Sequence, residues 1–178
     1  MIELAFAVGV AAVAAAYDLR TRMLPDWLTL GALPLGFLVH VAAAAAAGAR
    51  GQDLLLTAGS SVLGGITCAA FPALLVQKRA LGRGDLKLFA ALGVMLGPAV
   101  GFEAEVYAFV AAAIAAPLVA WRAGRLGAAL RASWRLVSVT FAKNAKVGAL
   151  GETPEPIWMP FAPAILFGVV LAALGADR

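Results

Sequence analysis

Six apolar stretches recur along the chain, at residues 2–17, 27–48, 54–76, 85–101, 105–121 and 157–176, and short polar runs between them hold most of the charge. A helix rising 1.5 Å per residue needs roughly 20 apolar residues to cross a bilayer. The pattern therefore predicts an all-α polytopic membrane protein with six transmembrane helices in a single domain over residues 1–178. The start, Met1-Ile2-Glu3, carries no positive charge, so the first stretch is expected to be a span and not a cleaved signal. Pro25 disfavours helix at Leu24 and can open the second helix, with Trp27 in the aromatic belt at its edge. In the third stretch Ser60/Gly64 and Ser61/Gly65 are small residues four apart, a spacing that lets helices approach closely. Gly93/Gly97 repeats that spacing in the short fourth stretch, which Gly97-Pro98 interrupts. Glu103 and Glu105 predict a tight turn before the fifth. Residues 122–155 mix Trp134, Leu136, Val137, Val139 and Phe141 with Arg131, Arg135, Lys143 and Lys146. That mixture predicts a basic interfacial helix before the last span, with a solvated loop as the alternative.

Composition supports the same class. Of 178 residues 63% are hydrophobic and 13% charged, where a soluble domain has about 45–50% and about 25%. The pI near 9.7 raises the question of nucleic acid, and the placement of the charges answers it. Twelve of the 14 Lys and Arg lie in segments 18–26, 77–87 and 122–155; the other two are Arg50 and Arg178. Under the positive-inside rule those three segments face the cytoplasm and both termini lie outside. Six spans put both termini on one side, so the helix count and the charge count agree, and no nucleic-acid partner is needed to explain the basicity. One cysteine, Cys68, and one histidine, His40, leave no intramolecular disulfide and no Cys/His metal cluster. Cys68 reads as a small buried hydrophobe and His40 as a hydrogen-bonded interior or interface residue.

The topology brings Asp18 and Asp85 to one face, each at the end of an apolar helix. A carboxylate there is costly to desolvate and marks a functional candidate. Two such groups in proximity share a proton, so one can activate water while the other protonates a scissile carbonyl oxygen or leaving amine. Helix caps, or ion pairs with Arg20, Arg22, Arg83 or Lys87, are the alternative roles for the same two residues.

Gly82-Arg83-Gly84-Asp85-Leu86-Lys87-Leu88 resembles the GxGDxKL signature of the type IV prepilin peptidases, a family of GxGD intramembrane aspartic proteases. Asp18-Leu19-Arg20-Thr21-Arg22-Met23-Leu24-Pro25 resembles that family's first motif, an Asp followed by basic residues and Ile/Leu-Pro-Asn. Trp158-Met159-Pro160-Phe161-Ala162-Pro163 is similar to its last-helix Pro-Phe-Gly-Pro motif. The resemblance implies that Asp18 and Asp85 are the catalytic aspartates, with no cofactor and no metal. Gly82, Gly84, Lys87, Arg20, Arg22, Pro25, Pro160 and Pro163 are then expected to shape the site. Gly82 and Gly84 would leave room for a substrate backbone, and Lys87 would be the electrostatic neighbour of Asp85. The implied substrate is a prepilin or pseudopilin, cut just after a Gly at the cytoplasmic face of the bacterial inner membrane, among membrane lipid. Two positions depart from the pattern: Asp26 stands for the usual Asn and Ala162 for the usual Gly. Larger members carry a domain with paired CxxC motifs linked to N-methylation. With one Cys and no insert between its first two helices, this chain is most similar to the short members that serve Flp-type pilins. A small proton- or ion-coupled transporter using the same carboxylates is the alternative, although relay sites sit nearer the bilayer midplane.

Overall fold

Helix breakers set the element boundaries. The computed structural model describes residues 2–78, 80–131, 134 and 159–175, and among these every regular element is a helix. They are α1 (Ile2–Thr21), α2 (Asp26–Ala46), α3 (Gln52–Gln77), α4 (Arg83–Arg122), α5 (residues 126–131) and α6 (Ala162–Gly175). The first four are long and apolar enough to cross a membrane, and α6 is apolar but shorter. α1 stops where Arg22 takes φ 55°, a left-handed conformation. α2 starts at Pro25, whose φ of −69° and ψ of 138° suit an N-cap. The Pro25 carbonyl accepts from the Leu28 and Thr29 amides at 3.1 and 3.3 Å.

The chain divides into two units, Met1–Ala111 with Pro160–Arg178, and Ala112–Met159. Asp18, Asp85 and α6 belong to the first. In the second, α4 ends on Gly124 at φ 67°, with the Arg125 amide returning to the Ala120 carbonyl at 2.9 Å. The left-handed glycine closes the helix because it lacks the Cβ that would clash. Arg135, Lys143, Lys146 and Trp158, on which the interfacial helix and the entry to the last span were expected to rest, lie outside the described residues.

α4 is not straight. Gly97 has φ 73° and ψ 177°, which no helix interior adopts. Phe89 and Phe109 stack with ring centroids 5.4 Å apart, whereas 20 residues of straight helix would separate them by about 30 Å. The helix therefore folds back on itself at Gly97-Pro98. This corrects the expected turn at Glu103. The charges predict a loop, but Glu103 and Glu105 both lie within helix. The Tyr107 hydroxyl donates to Glu103 Oε1 at 2.8 Å, one helical turn away. Glu105 is only 2% exposed. The backbone, not the charge, decides the position, because glycine alone takes that φ freely and Pro98 has no amide to continue the ladder.

The fold-back frees carbonyls, and neighbouring helices satisfy them. Ser61 Oγ of α3 donates to the Val94 carbonyl at 2.7 Å. His40 Nδ1 of α2 hydrogen-bonds the Met95 carbonyl at 2.9 Å, with Glu3 Oε2 3.4 Å from the same nitrogen. Glycines bring α3 and α4 together, since a Cβ at Gly64 would fall on the Gly93 carbonyl and one at Gly93 would stand 2.8 Å from Cys68 Cβ. Cys68 is buried as expected. α1 packs on α6 and on α2, and α2 packs on α3.

Candidate active site

Asp18 belongs to a stripe. Ala7, Ala11, Ala14 and Asp18 follow one another at spacings of four, three and four along α1, and all are buried. Such spacing puts them on one helix face. α6 buries a corresponding stripe, Ala162, Ile165, Val169 and Ala172. Asp18 is 7% exposed, and its Oδ2 accepts the Ala162 main-chain N–H at 3.0 Å. Ala162 opens α6, where the first amides have no helical acceptor and the helix dipole favours a negative charge.

The tract from Pro160 to Pro163 explains why that single amide is offered. Phe161 is the N-cap, and its carbonyl accepts from the Ala164 and Ile165 amides at 3.0 and 3.2 Å. Pro163 has no amide to compete. The Phe161 ring packs against the stacked pair of Phe89 and Phe109, at centroid distances of 6.1 and 5.5 Å, and so fixes the start of α6 against both arms of α4. The family pattern's Gly is Ala here, and the difference leaves the donor intact, because the functional group is the amide and not the side chain.

Asp85 lies in the first turn of α4. Gly82 caps that turn, its carbonyl accepting from the Leu86 amide at 3.3 Å. Asp85 curls back towards the cap, so that a Cβ at Gly82 would stand 2.9 Å from Asp85 Oδ2. Asp18 is near enough for its charge to act on Asp85. Each carboxylate thus meets a helix N-terminus, Asp85 that of its own helix and Asp18 that of α6. The capping alternative is real in the geometry, and it orients the carboxylates without consuming them. The ion-pair alternative is not met. Among the described residues the ion pairs are Lys87–Asp26 and His40–Glu3, while Arg20, Arg22 and Arg83 are exposed.

Two expectations change here. Lys87 does not neighbour Asp85 as an ion-pair partner; its Nζ reaches Asp26 Oδ1, at 2.5 Å. The space beside Gly84 is not left open for a substrate, because a Cβ there would meet Leu24 Cβ at 3.0 Å. Both changes have one cause. The connector from Thr21 to Pro25, with Asp26 at the start of α2, lies across the start of α4, and Tyr17 and Trp27 close its ends with ring centroids 5.9 Å apart. Pro25 positions this connector as the cap of α2, while Pro160 and Pro163 flank the Ala162 donor. The residues missed from sequence were Leu24, Phe89, Phe109 and the Ala162 amide. The alanine spacing that ends on Asp18 was the available signal for the last.

Helices long and apolar enough to cross a membrane define a helical membrane protein. The type IV leader peptidase family model matches residues 5–120, which include both the Asp18 and the Asp85 stretches, and the chain belongs to that family. It is therefore a membrane peptidase with a protein substrate. No curated protein and no solved structure matches the chain. The family match gives no support to the transporter alternative.

Proposed function

We propose that the chain is an aspartic endopeptidase that removes leader peptides from type IV prepilins of the Flp type at the cytoplasmic face of the bacterial inner membrane. Six spans, with α4 contributing one on each side of Gly97, fit the distribution of Lys and Arg. The observation that supports the reading is that Asp18, its Oδ2 held by the Ala162 amide at 3.0 Å, lies near enough to Asp85 for the two charges to interact. With one proton between the two aspartates, the ionised carboxylate takes a proton from water and the resulting hydroxide attacks the scissile carbonyl carbon. The protonated carboxyl delivers its proton to the carbonyl oxygen. The carboxyl that took its proton from water then gives it to the departing amine, the other carboxylate takes the proton of one gem-diol hydroxyl as the C–N bond breaks, and the pair again holds one proton. Each step needs only the two carboxylates and water. The main-chain donor fixes one oxygen of Asp18 and leaves the other for the water.

Asp18→Asn or Asp85→Asn should each abolish conversion of a co-expressed Flp-type prepilin to its mature form, with the protein still present in the membrane fraction. Processing at the normal rate by either variant would remove that residue from the mechanism.

A further inference from the structure

Asp18 and Asp85 sit on different helices, and their catalytic use depends on how closely α1 and α4 hold them to each other. We propose that the connector between α1 and α2 is a strap that sets this spacing, with Asp26, Lys87 and Leu24 as positioning residues. The proposal rests on the peptidase reading above.

The strap is fastened at both ends. At its start, the Arg22 amide donates to the Asp18 carbonyl at 2.9 Å, so the connector begins on the catalytic residue itself. Thr21 Oγ1 lies 2.9 Å from the carbonyls of both Tyr17 and Met23, which holds the turn. On α4 it has two anchors, and they bracket Asp85. Leu24 seats on Gly84, the residue before Asp85, where any larger side chain would lift it. Lys87, two residues after Asp85, reaches Asp26. Connector and catalytic turn thus meet through one apolar and one charged contact.

The charged contact has a diagnostic property. The Lys87 and Asp26 side chains are 32% and 70% exposed, and exposed ion pairs add little to stability. Catalysis is more demanding, because a displacement of about 1 Å at reacting groups can lower a rate about 100-fold. Breaking the pair should therefore leave the fold in place and slow the chemical step. An Asn side chain at position 26 would also offer a carbonyl oxygen to the lysine, so the contact does not require a full charge. It does require that the two side chains not repel.

The test uses the full chain, purified in detergent and assayed on a Flp-type prepilin, with Asp26→Lys, Lys87→Asp, the exchanged double variant and Asp26→Asn. Each single reversal should lower kcat about tenfold or more, with KM and thermal midpoint close to wild type. The exchange should restore most of the loss, and Asp26→Asn should stay close to wild type. Single reversals that cleave at the normal rate, an exchange no better than either single, or a change in KM alone would overturn the strap. A second measurement does not depend on cleavage. Spin labels on Leu19→Cys and Arg83→Cys, in a Cys68→Ser background, report the spacing of α1 and α4 beside the two aspartates. Their distance distribution should broaden or shift in Asp26→Lys and recover in the exchange, and an unchanged distribution would overturn the proposal. If wild type fails to cleave the prepilin while the label distances respond as expected, the peptidase reading fails and the strap stands.

Discussion

The main-chain N–H of Ala162 is the group that most directly orients Asp18, and its role can be isolated. Proline is tolerated at the first position of a helix, since that amide has no intrahelical acceptor. Ala162→Pro therefore removes the hydrogen bond to Asp18 while sparing the helix. A hydrogen bond to a charged group contributes about 1.5–3 kcal/mol, so cleavage should fall roughly ten- to a hundredfold. Ala162→Gly keeps the donor and should retain near-normal cleavage. Initial rates on prepilin, with thermal midpoints beside them, make the comparison. Equal rates for the two variants would show that the bond does not matter to the reaction. Asp18 and Asp85 were legible in the sequence as charges out of place in an apolar chain. Ala162 was legible only as a mild replacement, because a sequence displays side chains and a main-chain donor leaves no letter of its own. Lys87 misled for a related reason. It is near Asp85 along the chain, but on a helix residues two apart point to different sides, and Lys87 was free to meet Asp26.

At the scale of elements, α4 and its contact with α3 carry the arrangement. The small residues Ser61, Gly64 and Gly93 marked that contact in the sequence, and the structure uses them for it. The position of the fold-back was less visible, because Gly97-Pro98 and the Glu103–Glu105 pair competed as turn signals. Hydropathy favours the acids, whereas backbone sterics favour Gly97. Gly64→Ala tests the contact. Its Cβ would be 2.7 Å from the Gly97 carbonyl carbon as well as on the Gly93 carbonyl, and backbone cannot move aside as a side chain can. Overpacking of this kind costs about 1–3 kcal/mol or more, so the variant should melt at a clearly lower temperature in detergent. Gly59→Ala, on the same helix with nothing within 4 Å of the new Cβ, should instead gain roughly 0.5–1 kcal/mol from reduced chain entropy. If both variants melt alike, the α3–α4 contact is looser than described.

Across the whole chain, the apolar blocks and the uneven distribution of Lys and Arg made the class readable before any motif was considered. Burial was not readable, and Glu105 is the clearest example. It looked like a loop residue, yet both its carboxylate oxygens are buried without a hydrogen-bond partner among the described residues. An unsatisfied buried polar group costs about 1–3 kcal/mol, and more when charged. Glu105→Met, similar in volume and apolar, should raise the thermal midpoint by several degrees and leave prepilin cleavage intact. A lower midpoint together with lost cleavage would mean that Glu105 binds something the reaction needs.

The hydrogen bond between Asp18 and Ala162 also has a consequence for biogenesis. Its partners are 144 residues apart in the chain. A ribosome adding about 5–20 residues per second exposes the aspartate several seconds or more before it can supply the amide. Through that interval a growing chain would hold Asp18 without the main-chain donor that orients it. Insertion of α6 would then be the step that brings the Ala162 donor to Asp18 and completes this contact between the two ends of the fold.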